Sequence, residues 1–97
     1  MFLGQEQVAV SNVLLTVASL TIPGPTTHVQ IQAGTNDVRY TMDNATNPTQ
    51  TLGMIFSSTA PEPVYEFLAE DLQRIRFIRG AVADGTLDFH YSAGRNI

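Results

Sequence analysis

Turn-forming residues punctuate this chain at short, regular intervals: Pro23-Gly24-Pro25, Gly34-Thr35-Asn36-Asp37, Asp43 to Pro48, Ser57 to Pro63, Asp84-Gly85, and Ser92 to Asn96. Each cluster leaves room for only a short extended segment before the next reversal. An antiparallel sandwich or barrel needs that rhythm. The expected fold class is therefore all-β, an antiparallel β-sandwich of jelly-roll-like form with at most one short helical turn.

The segments between the turns support this reading. Thr27 to Ala33 sets Val29, Ile31 and Ala33 on one side and His28, Gln30 and Gln32 on the other. Val38 to Met42 groups Val38, Tyr40 and Met42 opposite Arg39 and Thr41, and the short Gly34 to Asp37 link predicts a hairpin between these two strands, with Gly34 or Asn36 supplying a positive φ. Further strands are expected at Gln7 to Ser11, at Leu52 to Ser57, and at Thr86 to Tyr91 with Leu87, Phe89 and Tyr91 inward. Val13 to Ile22 is apolar enough for one or two strands on a buried face.

One segment admits two readings. In EPVYEFLAEDLQRIRFIRG, from residue 62 onward, Val64, Phe67, Leu68, Leu72, Ile75 and Ile78 follow the three-and-four spacing of an amphipathic helix. The same residues also divide into a strand Val64 to Phe67, a helical turn around Leu68 to Gln73, and a strand Arg74 to Arg79. The split is favoured, because RIRFIR alternates charged and apolar residues and a lone helix would need a sheet face left free.

Chain length and composition narrow the class further. A chain of 97 residues is one domain, read as an N-terminal arm or first strands over residues 1–26 and a sandwich core over 27–97. Charged residues make up only 14%, below the usual quarter, so much of the surface is neutral and polar or is covered by a partner. All five basic residues are arginine, and with nine acids the net charge is −4, which repels phosphate backbones and argues against nucleic acid as a partner. The absence of cysteine removes disulfides and thiolate metal sites. The apolar run NVLLTVASLTI carries several polar residues and no basic leader, so neither a membrane span nor a secretion signal is expected.

No constellation of catalytic type emerges. His28 and His90 fall on outward strand positions with no carboxylate at a recognisable spacing, and no Gly-x-Ser-x-Gly elbow exists. No catalytic residue, metal ligand or cofactor site is assigned. Asp43, Asn44, Thr46 and Asn47 offer oxygens, but they lack the spaced acids and final glutamate of a calcium loop, and Asx turns explain them equally. Asn44-Ala45-Thr46 fits the glycosylation sequon, a match read as chance. Arg39 is expected to fork onto Asp43 or another carboxylate across the turn. Arg74, Arg76 and Arg79 are expected to form the charged outer row of an edge or surface strand. Arg74 and Arg76, with Phe2 and Leu3 as an arm or intersubunit contact, are the candidate partner-binding residues. In a turn that joins two strands, Asp43 would reverse the chain, Pro48 would set its exit direction, and Gly53 would admit close backbone approach.

Taken together, HVQIQAGTNDVRYTMD, NPTQTLGM, IRFIRGAV and GTLDFHYS resemble a group of small structural proteins of tailed bacteriophages. Arg39-Tyr40, Asp43, Pro48-Thr49, Gly53, Phe77-Ile78 and Tyr91 carry the likeness, which runs from residue 27 to residue 92. Asn44 stands where the group has glycine, and residues 1–26 have no counterpart. The resemblance implies a β-sandwich of the virion, on the capsid surface: a head decoration or cement protein that binds between subunits of the major capsid protein and has no catalytic residues. It also implies a homo-oligomer, a trimer being the form that suits a threefold position on a shell. The alternative readings are a carbohydrate- or receptor-binding tail module and a head-tail connector component.

Overall fold

Strands form where apolar side chains alternate, and the structure, a computed structural model, describes residues 2–43, 45–49, 52–59, 63–80 and 83–93. In chain order the strands are β1 (Phe2–Val10), β2 (Leu15–Thr16), β3 (His28–Thr35), β4 (Val38–Thr41), β5 (Met54–Phe56), β6 (Tyr65–Leu68), β7 (Arg76–Arg79) and β8 (Gly85–Ser92). A short helix α1 (Ala69–Leu72) follows β6, and a 3-10 turn (Val17–Ser19) follows β2. One sheet has the order β1-β8-β3-β6 and the other β2-β7-β4-β5, with every pairing antiparallel.

The pairings β4·β5, β3·β6, β2·β7 and β1·β8 describe one long ribbon. Its successive pairs fall alternately in the two sheets, and the contacts β3·β8 and β4·β7 join them. This is the strand order of an eight-stranded jelly roll, as the turn spacing led one to expect. The inner faces meet in a core of Val29, Ile31, Leu87, Phe89 and Tyr91 from one sheet and Val38, Tyr40, Phe56 and Phe77 from the other. Each large side chain buried there contributes roughly 1.5–3 kcal/mol relative to exposure.

The segment from β6 to β7 takes the split form, strand, one helical turn, strand. Pairing decides it: β6 extends along β3 and β7 along β4, which a continuous helix could not do. Leu72 and Ile75, the apolar residues of the helical turn and its exit, are buried in the core. The Ala69 N–H donates to the Thr27 carbonyl at 2.9 Å, fastening the turn to the start of β3.

Four expectations are corrected. β3 and β4 are not a hairpin, because they lie in different sheets. A short link with one left-handed residue serves a sheet-switching corner as well as a hairpin, and strand alternation is the same in both. Asn36 supplies that conformation with φ 57°, and its side-chain amide donates to the Asp84 carbonyl at 2.9 Å. One oxygen of the Asp37 carboxylate accepts from the Ser58 N–H at 2.7 Å and the Ser58 hydroxyl at 2.8 Å, while the Gly80 N–H donates to the Asp37 carbonyl at 2.8 Å. The corner is thus tied to the exits of β5 and β7 and to the residue that precedes β8.

The other corrections concern the N-terminal quarter and β7. Val13 to Ile22 yields only the two residues of β2 before the 3-10 turn. There the Thr16 hydroxyl accepts from the Ala18 N–H at 3.3 Å, the local competition with a ladder that Ser and Thr favour. Phe2 and Leu3 are no arm: they open β1, which is longer than the expected Gln7 to Ser11 and is zipped along β8. Finally, β7 begins at Arg76 and lies inside its sheet between β2 and β4, so it is no edge strand, and Arg74 sits in the turn before it.

Candidate functional site

The connection from β4 to β5 gathers the residues that sequence reasoning singled out, in two small clusters. In the first, the Arg39 guanidinium donates to the Gly53 carbonyl at 2.8 Å. Arg39 thus ties the middle of β4 to the residue that precedes β5. Gly53 has φ 120°, and a Cβ there would lie 2.9 Å from the Tyr40 carbonyl oxygen and 3.4 Å from Pro48 Cβ. Pro48 is buried against this approach, and the Thr49 N–H donates to the Leu52 carbonyl at 3.0 Å beside it. Pro48 and Gly53 thus lie in close contact where the chain leaves the turn toward β5.

In the second cluster, Asp43 accepts from the Thr46 hydroxyl at 2.5 Å and from the N–H groups of Thr46 and Ala45 at 2.8 and 3.0 Å. These bonds, the Thr46 hydroxyl first, stabilise the ionised carboxylate and hold its pKa down at about 2. Arg76 reaches across from β7 and donates to the Ala45 carbonyl at 3.0 Å and to Asn47 Oδ1 at 2.6 Å. Its guanidinium thus braces this loop from the neighbouring strand pair. Asn44 lies outside the described residues.

The candidate partner residues do not form one surface. Phe2 stands exposed beside His90 on the β1-β8 side, its ring edge-on with centroids 5.7 Å apart. Leu3 is half-buried and packs on the core. Arg74 is exposed after α1, Arg76 belongs to the opposite sheet, and Arg79 pairs with Asp84 at 2.8 Å. His28 shares a 2.8 Å hydrogen bond with the Thr27 hydroxyl, while His90 meets the Phe2 ring. Among the described residues no group of three or more His, Cys, Asp or Glu side chains could hold a metal ion, and no helix is long and apolar enough to cross a membrane.

Sequence reasoning missed a surface that the roll creates. β5 and β6 are the outer strands of their sheets on the same side of the sandwich, where the rings of Phe56 and Tyr65 meet with centroids 5.0 Å apart. Along this side Leu52, Met54, Ile55, Val64 and Leu68 are all exposed, between 39% and 68%. A groove of about 470 Å³ opens beside Met54, lined also by Tyr40, Thr41, Met42, Asp43, Gly53 and Phe67. At its floor the Tyr40 ring stacks on Phe56 at 4.0 Å, and burial raises the pKa of its hydroxyl. The signal was present in LGMIF, an apolar run with no polar residue to face water, which a short outer strand cannot hide.

No family model matches the chain, and no curated protein or solved structure matches it.

Proposed function

We propose that this chain is a structural protein of a bacteriophage virion, a decoration or cement protein that binds between subunits of the major capsid protein and stiffens the head. The observation that carries this reading is the apolar β5–β6 side, where Met54, Val64 and Leu52 are each at least half exposed. Exposed apolar side chains beside open strand edges on a small domain suit burial against another protein. The sequence resemblance to phage structural proteins supplies the identity of that protein. A corner fastened by Asn36 and Asp37 and a loop braced by Arg39 and Arg76 suit a role that needs stiffness and contact area. The net charge of −4 keeps such a protein off packaged DNA. It acts on the capsid surface as a homo-oligomer, a trimer matching a threefold position, with no catalytic role and no cofactor.

The test is reattachment. Purified chain mixed with intact shells that lack it is expected to co-sediment with them and to raise the temperature at which they release DNA. Met54→Asp is expected to abolish co-sedimentation while leaving the melting temperature of the isolated chain unchanged, because Met54 is exposed. Shells that remain bare at saturating protein would overturn the proposal.

A further inference from the structure

The outward face of the β1-β8-β3-β6 sheet carries a different chemistry from the apolar side. Strand register aligns Gln5, His90, Gln30 and Glu66 in one row across four strands, and Gln7, Asp88 and Gln32 in the next. Two adjoining hollows of about 280 and 120 Å³ lie over these rows and share Gln32, Asp88 and His90. The side chains of Gln5, Gln7, Asp88 and His90 line the larger hollow with no hydrogen bond to any described residue, although Asp88 is half-buried. Their polar atoms are thus turned toward a space a ligand can enter.

The residue types narrow what that ligand is. The two rows hold the carboxylates of Glu66 and Asp88 and no arginine, so phosphate, sulfate and carboxylate groups are repelled. Val64 is the one aliphatic side chain, at the β6 end of the smaller hollow, and the larger hollow is lined by amides, carboxylates and imidazole alone, so a purely apolar ligand would strand those polar groups. A hydroxyl both donates and accepts, and so does each glutamine amide, while an ionised carboxylate accepts two hydroxyls strongly. Phe2, 60% exposed and held edge-on by the His90 ring, adds one flat apolar surface at the rim, the kind against which the C–H face of a sugar ring stacks. We propose that this face is a binding site for a neutral saccharide, seated over Asp88 and His90 with Phe2 at its flank.

The site borders the apolar side at Val64 but draws its polar groups from β1, β3 and β8, and it stands whether or not the chain attaches to a shell. Its test uses the full chain, isotope-labelled and followed by NMR while neutral gluco-, galacto- and manno-configured oligosaccharides are added, with sialylated and sulfated glycans as the contrast. Amide shifts are expected with a neutral glycan only, confined to Gln5–Gln7, Gln30–Gln32 and Asp88–His90. Asp88→Ala is expected to weaken binding by about tenfold or more, as loss of a charged acceptor implies. Phe2→Ala, which removes no hydrogen bond, is expected to weaken it by a smaller factor. Phe2 is exposed and the Asp88 carboxylate makes no hydrogen bond to a described residue, so melting temperatures should not move. Silence from every neutral glycan, a response to anionic glycans alone, or undiminished binding in both variants would each overturn the assignment.

Discussion

Replacing Gly53 by alanine tests whether the β4–β5 turn is as tightly determined as its geometry indicates. With φ at 120°, the backbone at Gly53 lies where side chains are rarely tolerated, and the new Cβ would sit 2.9 Å from the Tyr40 carbonyl oxygen. That oxygen has little room to withdraw, because the Tyr40 ring is packed at 4.0 Å on Phe56 and the facing Pro48 is buried. Strain of this kind costs about 1–3 kcal/mol, and the steric overlap places Gly53→Ala toward the upper end. For a domain of this size each kcal/mol moves Tm by roughly 4–8 °C, so a fall on the order of 10 °C is expected in a thermal melt followed by circular dichroism. Gly24→Ala is the control: nothing lies within 4 Å of a Cβ at that position, and its effect should stay within about 0.5 kcal/mol. Equal melting temperatures for the two variants would refute the reasoning and would mean that the turn yields freely.

Two further perturbations probe other fixed points. The Asp43 pKa is depressed to about 2 by the Thr46 hydroxyl and the two N–H groups, below its unfolded value of ~3.9. Its contribution is therefore complete above the unfolded pKa and disappears as pH falls through the folded one. Amide exchange at Ala45 and Thr46 should quicken as the solution is acidified across that window, and Asp43→Asn should remove this pH dependence. Glu6 Oε2 accepts from the Tyr91 hydroxyl at 2.5 Å and from the Thr21 N–H at 2.8 Å. Glu6→Ala leaves the hydroxyl of the buried Tyr91 without this acceptor, and a loss of about 1–3 kcal/mol is expected in denaturant unfolding.

The architecture was legible where period and position agree. Val29, Ile31 and Ala33 alternate inward as their spacing demands, and so do Leu87, Phe89 and Tyr91. The split of the β6–β7 segment was readable because RIRFIR carries a two-residue period. What alternation cannot encode is which strand lies beside which. The Gly34 to Asp37 link therefore read as a hairpin when Asn36 and Asp37 in fact carry the chain from one sheet to the other. The same blindness hid the apolar side, since Met54 and Val64 lie on one flank only after the ribbon has rolled. At the candidate sites, Gly53 and Pro48 announced a constrained turn by residue type alone. The anchor of Arg76 in Ala45 and Asn47, some thirty residues earlier in the chain, had no local signature.

Because β1 and β8 run antiparallel, with Phe2 opposite Ser92, the outermost residues of the two strands leave the sandwich at the same corner. Tension drawn outward between those two points would open the ladder as a zipper opens, one rung under load at a time. A load entering through the broad sides is instead shared by many rungs at once. The molecule is mechanically soft along its own thread and hard across its width, so a tether placed at its extremities would peel where a sideways grip would hold.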